Sequence, residues 1–313
     1  MTSVTALIFG FLMDLVIGDP QWRWHPVRLT GRTIAWLEGR MNQGKNRKIK
    51  GIFFLILLAG STGILVQGIL SISAKNQWLE IIVSGGVIYF TISVKCLADE
   101  AQKVAWHLEA GDINLARSSL AMIVGRDTEA LNEREIVRAT VETVAENTMD
   151  GIIAPLFYAV LSGPWGAWVY RAVNTLDSMV GYKNKRYWDF GWASARCDAI
   201  LNWIPAKITA LFISLACGFS QYATGAWRWT WRHLLKGPEF NGDTVEAAMA
   251  GGLRVRLGGI NFYAGTSVRK AFIGDDIESL SVRHIYQSIR ISYACGILML
   301  LASILIAGRD VIL

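Results

Sequence analysis

The chain has 313 residues, of which 52% are hydrophobic and only 18% are charged, and its formal net charge is +6. A soluble globular domain carries about 25% charged residues. Here the apolar residues are concentrated in long segments, which excludes an ordinary soluble protein and predicts an all-α polytopic integral membrane protein. Nucleic acid is not expected as a partner, because the basic residues are spread over membrane-adjacent loops rather than one domain face.

Six apolar segments organise what we expect to be one membrane-embedded domain, 1–313. They are residues 3–18, 51–73, 78–98, 151–172, 199–219 and 291–308, separated by a helical loop, 99–150, and polar loops at 171–198 and 220–290. The clearest transmembrane helix is 51–73, which carries no charge over 23 residues. The first segment is short and contains Asp14, so crossing the bilayer and lying in its surface are both open.

The distribution of basic residues predicts the orientation of the chain. Between Arg23 and Lys50 there are eight Lys and Arg residues and one acid, Glu38, which places this loop on the cytoplasmic side of the cell inner (plasma) membrane. The segments 151–172 and 199–219 are interrupted by prolines. If both span, the basic loop 171–198 lies outside, against the positive-inside rule. If both are re-entrant or in-plane, every polar loop, and hence the active site, faces the cytoplasm.

The helical loop contains local signals for helix starts and stops. Asp112 is expected to cap a helix after Gly111, and Gly125 is expected to close it. Asn132 and Glu135 form a capping-box pattern for the helix that follows.

That helix carries a charged stripe. At 100° per residue, one face holds Glu135, Arg138, Glu142, Glu146 and Asp150. Carboxylates four residues apart repel each other, and a cation held between them would relieve the repulsion. Mg²⁺ commonly takes one or two carboxylates together with substrate phosphates. The alternative interpretation is a solvated face of an amphipathic helix.

Asn174 and Asp177 lie about one helical turn apart, directly after the segment 151–172. Such a polar pair is also typical of a simple helix end. Together with Asp150 it would place acidic groups at both ends of one apolar segment, which is a plausible metal and nucleotide pocket.

Basic side chains alternate with aromatic ones in the loop 182–187. The members are Tyr182, Lys183, Lys185, Arg186 and Tyr187. Contact with anionic lipids and capture of a phosphate are both compatible with this composition. Arg28, next to His25, could bind phosphate in the same way.

Two further short motifs are weak signals. Asp189-Phe190-Gly191 matches the metal-binding triplet of protein kinases, but no other kinase motif is present, so we reject that interpretation. Gly258-Gly259 permits close backbone approach, yet fits neither a Walker nor a dinucleotide fingerprint.

Several longer motifs occur in an order that resembles a known family. They are Gly18-Asp19-Pro20 with His25-Pro26-Val27, Met122–Thr128, Val141–Thr148, Asp150–Tyr158, Tyr170–Tyr182 and Glu246–Gly251. This set resembles the adenosylcobinamide-phosphate synthase family of cobalamin biosynthesis (CbiB/CobD type), over about residues 5–35 and 95–265. The chain departs from the family at Gly237–Gly242, where a Ser-Pro-Asn-Ala-Gly-like loop is usual.

The resemblance implies a ligase that joins adenosylcobyric acid to (R)-1-amino-2-propanol phosphate, or to the amino-alcohol, with ATP hydrolysed and Mg²⁺ required. For this reaction we expect Glu142, Glu146 and Asp150 to bind Mg²⁺ or to act as bases. The expected metal ligands are Glu146, Asp150, Asn174 and Asp177. The expected binders of substrate phosphate are His25, Arg28, Arg171, Lys183 and Arg186. Membrane lipids are expected neighbours, and homo-oligomers or docked pathway enzymes are left open.

A non-catalytic corrinoid binder, transporter component or sensor is the alternative from another class. A transporter more often shows an internal repeat with paired broken helices. The two Pro-interrupted segments are a faint version of that pattern, but they do not repeat each other in sequence.

Overall fold

The computed structural model describes residues 3–20, 22–218, 221–263 and 265–309. The chain is predominantly helical, which confirms the predicted fold class, and it includes one antiparallel two-stranded sheet. It falls into two compact units: unit 1 comprises residues 1–93, 150–203 and 299–313, and unit 2 comprises 94–149 and 204–298. Whether the chain acts as one membrane-embedded domain stays a prediction.

The helices and strands of the described residues follow in chain order. They are α1 (Val4–Ile17), α2 (Pro26–Met41), α3 (Arg47–Ser73), α4 (Gln77–Tyr89), α5 (Val94–Glu109), α6 (Ile113–Ala121), α7 (Glu133–Thr148), a π-helical turn (Met149–Ile153), α8 (Ala154–Ser162), α9 (Pro164–Val180), α10 (Trp192–Leu201), α11 (Trp203–Ala216), α12 (Gln221–His233), a 3₁₀ turn (Pro238–Phe240), α13 (Asn241–Leu253), β1 (Arg256–Tyr263), β2 (Thr266–Gly274) and α14 (Val282–Arg309).

Three helical stretches are long and apolar enough to cross a membrane: Arg47–Ser73, Gln77–Glu109 and Val282–Ala307. The first two contain the predicted segments 51–73 and 78–98, and the third covers residues 291–307 of the predicted segment 291–308. The first predicted segment is the shorter apolar helix Val4–Ile17. The segment 199–219 corresponds to α10 and α11, which are bent by 46° and represent either a broken span or a re-entrant loop.

A π-helical turn follows α7, at the end of the predicted charged stripe. Pro155 has no N–H to donate to the carbonyl of Gly151, and that carbonyl instead accepts from the Ser93 N–H at 2.9 Å. The helix widens at Met149–Ile153, so 100° spacing no longer applies there. Whether Asp150 continues the stripe of Glu142 and Glu146 stays a prediction.

The segment 151–172 is interrupted a second time at Gly163. Its φ of 82° separates α8 from α9, whose first residue is Pro164. Neither helix is among the stretches that are long and apolar enough to cross a membrane. The break at Gly163-Pro164 confirms the prediction of a Pro-broken segment, while the depth of this segment in the membrane stays a prediction.

The core of unit 1 lies where α2, α3 and α9 meet the loop before α10. Its buried members are Ile34, Phe54, Leu58, Leu176, Val180 and Phe190. The backbone at Gly191 approaches the Val180 carbonyl so closely that a Cβ would lie 1.8 Å from the oxygen. The Asp189-Phe190-Gly191 triplet is thus a packing motif, in agreement with the rejected kinase interpretation.

Unit 2 is built around α7, which packs against α5, α6, α13 and β1. Its start is the predicted capping box: the Asn132 side chain accepts from the Glu135 N–H, and the Glu135 side chain accepts from the Asn132 N–H. Asp112 caps α6 as predicted. However, α6 ends at Ala121 rather than at Gly125.

We expect Asn132→Ala to lower the free energy of unfolding by about 1 kcal/mol, because the Ala side chain cannot accept the N–H of Glu135. Equilibrium unfolding in detergent measures this loss. The control is Asn114→Ala, which leaves the capping box intact. Asn184→Ala is unsuitable as a control, because the Asn184 side chain itself caps a turn. An unchanged unfolding free energy in Asn132→Ala would contradict the capping role.

Candidate functional site

Glu142 is the centre of a buried ionic cluster in unit 2. Its side chain is 0% exposed and accepts from Arg126 at 2.6 Å and from Arg138 at 3.2 Å. The Gly258 N–H donates to the same carboxylate at 2.9 Å. The alternative of a solvated face is therefore wrong at Glu142 and Arg138, both of which are buried. This arrangement stabilises a negative charge but leaves Glu142 inaccessible to a substrate.

The cluster fixes the β1–β2 hairpin. Arg138 donates to the carbonyls of Gly258 at 2.7 Å and Ile260 at 3.2 Å, and Arg126 donates to the Asn261 side chain at 2.8 Å. The strand register is irregular between Leu257 and Gly259, a β-bulge that turns backbone groups towards a neighbour.

The bulge requires glycine at position 258. Gly258 has φ of 85°, and a Cβ there would lie 2.1 Å from the Ala271 carbonyl oxygen. The close backbone packing that the Gly258-Gly259 pair permits is thereby confirmed, whereas approach of this backbone to a ligand stays a prediction. The turn of the hairpin is held separately, since Asp127 accepts from the Gly265 N–H at 2.8 Å.

The hairpin presents Lys270 to two glutamates. Its Nζ lies 3.0 Å from Glu246 Oε1 and 3.5 Å from Glu146 Oε1. Glu246, on α13, is 0% exposed, whereas the Glu146 side chain is 40% exposed. We call these three residues the carboxyl–lysine cluster. Glu146 has the most exposed side chain of the three.

The electrostatics of this cluster are those of two carboxyls competing for one cation. Burial raises the pKa of Glu246 well above its usual range, and the charge of Glu146 raises it further, while Lys270 lowers it. Burial lowers the pKa of Lys270, but the glutamates raise it more, so the net shift is upward. The buried carboxyl of Glu246 is therefore harder to ionise than an exposed glutamate, and Lys270 holds its positive charge more firmly than an exposed lysine.

Unit 1 contains a second polar cluster, which includes Asn174 and Asp177. The Asn174 side chain donates to Asp198 Oδ1 at 3.2 Å, and the Asn202 side chain donates to Asp198 Oδ2 at 3.0 Å. Tyr170 donates to Asn202 at 2.9 Å and to the Asp150 carbonyl at 3.3 Å.

Asp177 is the member of this cluster whose charge is least compensated. Its Oδ1 is buried and has no hydrogen-bond partner within the described ranges. Burial, followed by the charge of Asp198, raises the pKa of Asp177 to about 7. A carboxylate in this state gains from a cation or a proton.

The predicted phosphate binders His25 and Arg171 lie near Asp19 in the same unit. His25 Nε2 is 2.7 Å from Asp19 Oδ1. Burial raises the pKa of Asp19, but His25, Arg171 and Arg28 lower it more, and the net shift is downward. His25, Arg28 and Arg171 thus all act on one carboxylate, and phosphate binding by these three residues stays a prediction.

The basic loop is arranged differently. Arg186 donates to Glu38 through Nε at 3.2 Å and through Nη2 at 2.8 Å, which ties the loop to α2. Lys183 is exposed. Phosphate binding by Lys183 and Arg186 stays a prediction.

The predicted metal ligands are divided between the units. Glu146 belongs to unit 2, whereas Asp150, Asn174 and Asp177 belong to unit 1. Within the part of the chain that the structure describes, no group of three or more His, Cys, Asp or Glu side chains is placed to hold a metal ion. The metal site stays a prediction, because Mg²⁺ also binds to two carboxylates completed by phosphates and water.

The sequence did not point to several residues of these clusters as site residues. They are Asp19, Arg126, Asp198, Asn202 and Lys270, with Glu246 seen only as part of a motif. The motifs Gly18–Pro20 and Met122–Thr128 contained a signal for Asp19 and Arg126. The sequence contained no signal for Lys270, because this residue lies outside all of these motifs.

The fold and these clusters define a helical protein with stretches long and apolar enough to span a membrane and with buried acidic sites. Residues 7–292 match the family model described as CobD/Cbib protein. The chain belongs to this family.

Relatives of similar length support the assignment. The chain is 43% identical to cobalamin biosynthesis protein CobD of Clostridium perfringens, over 90% of this chain and 91% of the relative. It is 42% identical to the protein of the same name from Pelobacter propionicus, over 97% and 95%. No solved structure matches. Family membership supports a role in cobalamin biosynthesis.

Proposed function

We propose that this protein is an ATP-dependent, amide-forming ligase of the cell inner membrane, with its active site on the cytoplasmic side. It joins a propionate carboxylate of adenosylcobyric acid to the amine of (R)-1-amino-2-propanol phosphate, or of the amino-alcohol, and gives adenosylcobinamide phosphate. The observation that carries this proposal is the carboxyl–lysine cluster, in a chain that is similar to cobalamin biosynthesis proteins over most of its length.

Glu146 is proposed as the general base. An amine attacks an acyl carbon only after it loses a proton, and a positioned carboxylate can accept that proton. Glu146 is the half-exposed member of its cluster, and Lys270 Nζ lies 3.5 Å from its carboxylate. Glu142, which the sequence also predicted as a base, instead holds the hairpin that carries Lys270.

Asp177, with Asn174 and Asp198, is proposed to hold Mg²⁺ in unit 1. The fit rests on the buried, unpartnered Oδ1 of Asp177 and on a donor set of carboxylate and amide oxygens, which suits a hard cation. The ion would offset the negative charge of phosphate groups. His25, Arg28 and Arg171 are proposed to bind phosphate through their cationic or N–H groups.

The proposed function is tested on detergent-purified protein supplied with adenosylcobyric acid, aminopropanol phosphate and Mg-ATP. Mass spectrometry follows the corrinoid. We expect an amide product that requires ATP. Corrinoid binding by folded protein without any product would contradict the ligase and favour the non-catalytic binder.

We expect Mg²⁺ to raise the free energy of unfolding of the wild-type protein, by about 2.7 kcal/mol when free Mg²⁺ is 100 times its Kd. Because protons compete for a carboxyl with a pKa of about 7, the gain should be larger at pH 8 than at pH 6. Thermal unfolding with NaCl at matched ionic strength provides the control. An equal gain in Asp177→Asn would contradict this site.

A further inference from the structure

A cavity of about 300 Å³ lies at the crossing of α12 and α13 in unit 2. This volume is at the lower end of the range for small-molecule sites, about 300–1,000 Å³. The helices approach closely here, since a Cβ at Gly225 would lie 2.3 Å from the Gly251 carbonyl oxygen. The lining residues are Thr224, Gly225, Arg228, Gly251, Arg254, Asp275 and Ile277.

The segment after β2 forms one wall of the cavity. The N–H groups of Ile277 and Glu278 donate to the Arg254 carbonyl at 3.2 and 3.0 Å. Arg254 itself ends α13 with φ of 59°, in the left-handed region. The segment is therefore fixed to the end of α13 by backbone hydrogen bonds, and Asp275 and Ile277 line the cavity from it.

The ion pairs of this segment contain more cations than anions. Five guanidinium groups pair with three carboxylates, which leaves an excess of two positive charges. The cations are Arg134, Arg228, Arg254, Arg256 and Arg283, and the anions are Asp275, Asp276 and Glu278. A concave surface with an excess of one sign of charge attracts ligands of the opposite sign.

The cations that line the cavity are accessible. The side chain of Arg228 is 48% exposed, and that of Arg254 is 27% exposed. Among the described residues, Arg228 donates to Asp275 through Nη2 only, while a guanidinium has five N–H donors. Arg228 can therefore donate to a ligand without breaking this ion pair. Arginine binds phosphate with two parallel N–H bonds in many proteins.

We infer that this cavity binds a phosphate group, held by Arg228 and Arg254. A phosphate monoester carries about −1.5 to −2 charge at pH 7, which complements the excess positive charge. The proposed reaction uses two phosphate-bearing substrates, ATP and the amino-alcohol phosphate, whereas the binders proposed above all act on the one carboxylate of Asp19. The assignment of the ligand to one of these substrates rests on the proposed function. No covalent step is involved.

Trp229 provides a local reporter for the test, because its indole Nε1 donates to Asp275 at 3.1 Å. Full-length protein in detergent, labelled with 5-fluorotryptophan, is titrated with ATP and with 1-amino-2-propanol phosphate. Fluorine NMR follows the Trp229 resonance, which is assigned by its loss in Trp229→Phe. We expect a saturable shift with at least one of the two compounds, and none with adenosine or 1-amino-2-propanol. No shift with either phosphate compound, or the same shift without the phosphate, would overturn the inference.

A lipid headgroup is another source of a phosphate group. Dihexanoyl phosphatidylglycerol, added to the same detergent sample, distinguishes this source. We expect no saturable shift of the Trp229 resonance with this lipid. A shift with the lipid but with neither soluble compound would assign the phosphate to a headgroup and overturn the assignment to a substrate.

Arg228→Gln tests the guanidinium at the cavity. An exposed ion pair contributes little to stability, so the variant should fold. We expect the phosphate compound to bind at least about ten-fold more weakly, because a charge-assisted hydrogen bond is lost. Arg283→Gln is the matched control: it removes the same charge from the same group of ion pairs, but Arg283 does not line the cavity. Equal losses in both variants would indicate net charge alone and overturn the site.

Ile277→Glu tests the cavity with a second, independent change. It adds a carboxylate at a lining position that is 56% exposed, and we expect phosphate binding to weaken at least about ten-fold through repulsion. Ile260→Glu is the matched control, since Ile260 is also 56% exposed but lies outside the lining. Unchanged affinity in folded Ile277→Glu would overturn the inference.

The outcomes separate this inference from the proposed function. Amide synthesis by a protein whose Trp229 resonance responds to neither phosphate compound would overturn the cavity as a phosphate site and keep the ligase. A saturable shift that depends on Arg228, without any amide synthesis, would keep the phosphate site and overturn the ligase.

Discussion

Glu142→Gln is expected to lower the free energy of unfolding by about 3–5 kcal/mol, because it breaks a buried ion pair and leaves charged partners behind. The side chains of Arg126 and Arg138 are only 7% and 9% exposed. Gln can accept one hydrogen bond with its oxygen, but it cannot balance two guanidinium charges. Equilibrium unfolding of the detergent-solubilised protein measures the loss.

The matched control is Glu133→Gln, an exposed position on the same helix, where a change within about 0.5 kcal/mol is expected. Arg126→Met combined with Glu142→Gln should cost less than the sum of the two single changes, since each single change leaves the other charge unpaired. Additive costs would show that Arg126 and Glu142 do not act as a pair.

This result also bears on function, because Glu142 was predicted as a catalytic residue. Glu142 has no exposed surface and all its partners hold the hairpin. A loss of activity in Glu142→Gln should therefore follow the fraction of folded protein. Fully folded but inactive protein would return Glu142 to the catalytic group.

Local signals accounted for much of the fold. The capping box at Asn132 and Glu135 and the cap at Asp112 depend on residues three apart, and an uncharged stretch such as 51–73 is visible in composition alone. The β1–β2 hairpin was missed. Its strands contain Gly258, Gly259 and several basic residues, and β2 is mostly exposed, so no clear alternation marks them.

The sites were harder to predict, since their contacts are distant in sequence. The charged stripe of α7 is visible in the sequence. The sequence does not show whether Glu142 is solvated or buried, because that depends on Arg126 and on a backbone N–H at residue 258. In the same way, Asp198 joins Asn174 from another helix. Periodicity reports a helix face and does not identify the groups that pack against it.

Glu146→Gln is expected to reduce the rate of amide formation by about 10²- to 10⁴-fold, the usual contribution of a positioned general base. Gln has nearly the same shape but cannot accept the amine proton. Glu146 is 40% exposed, so the free energy of unfolding should change little, in contrast to Glu142→Gln. Single-turnover mass spectrometry of the corrinoid measures the rate.

The distinction between these neighbouring glutamates is the sharpest consequence of the structure. They lie one helical turn apart, yet Glu142 is enclosed by cations and Glu146 faces solvent beside Lys270. Activity lost in Glu146→Gln with stability retained, and stability lost in Glu142→Gln, would fit this division. If Glu146→Gln remains fully active, the amine loses its proton elsewhere, and the carboxyl–lysine cluster is a structural ion pair of unit 2.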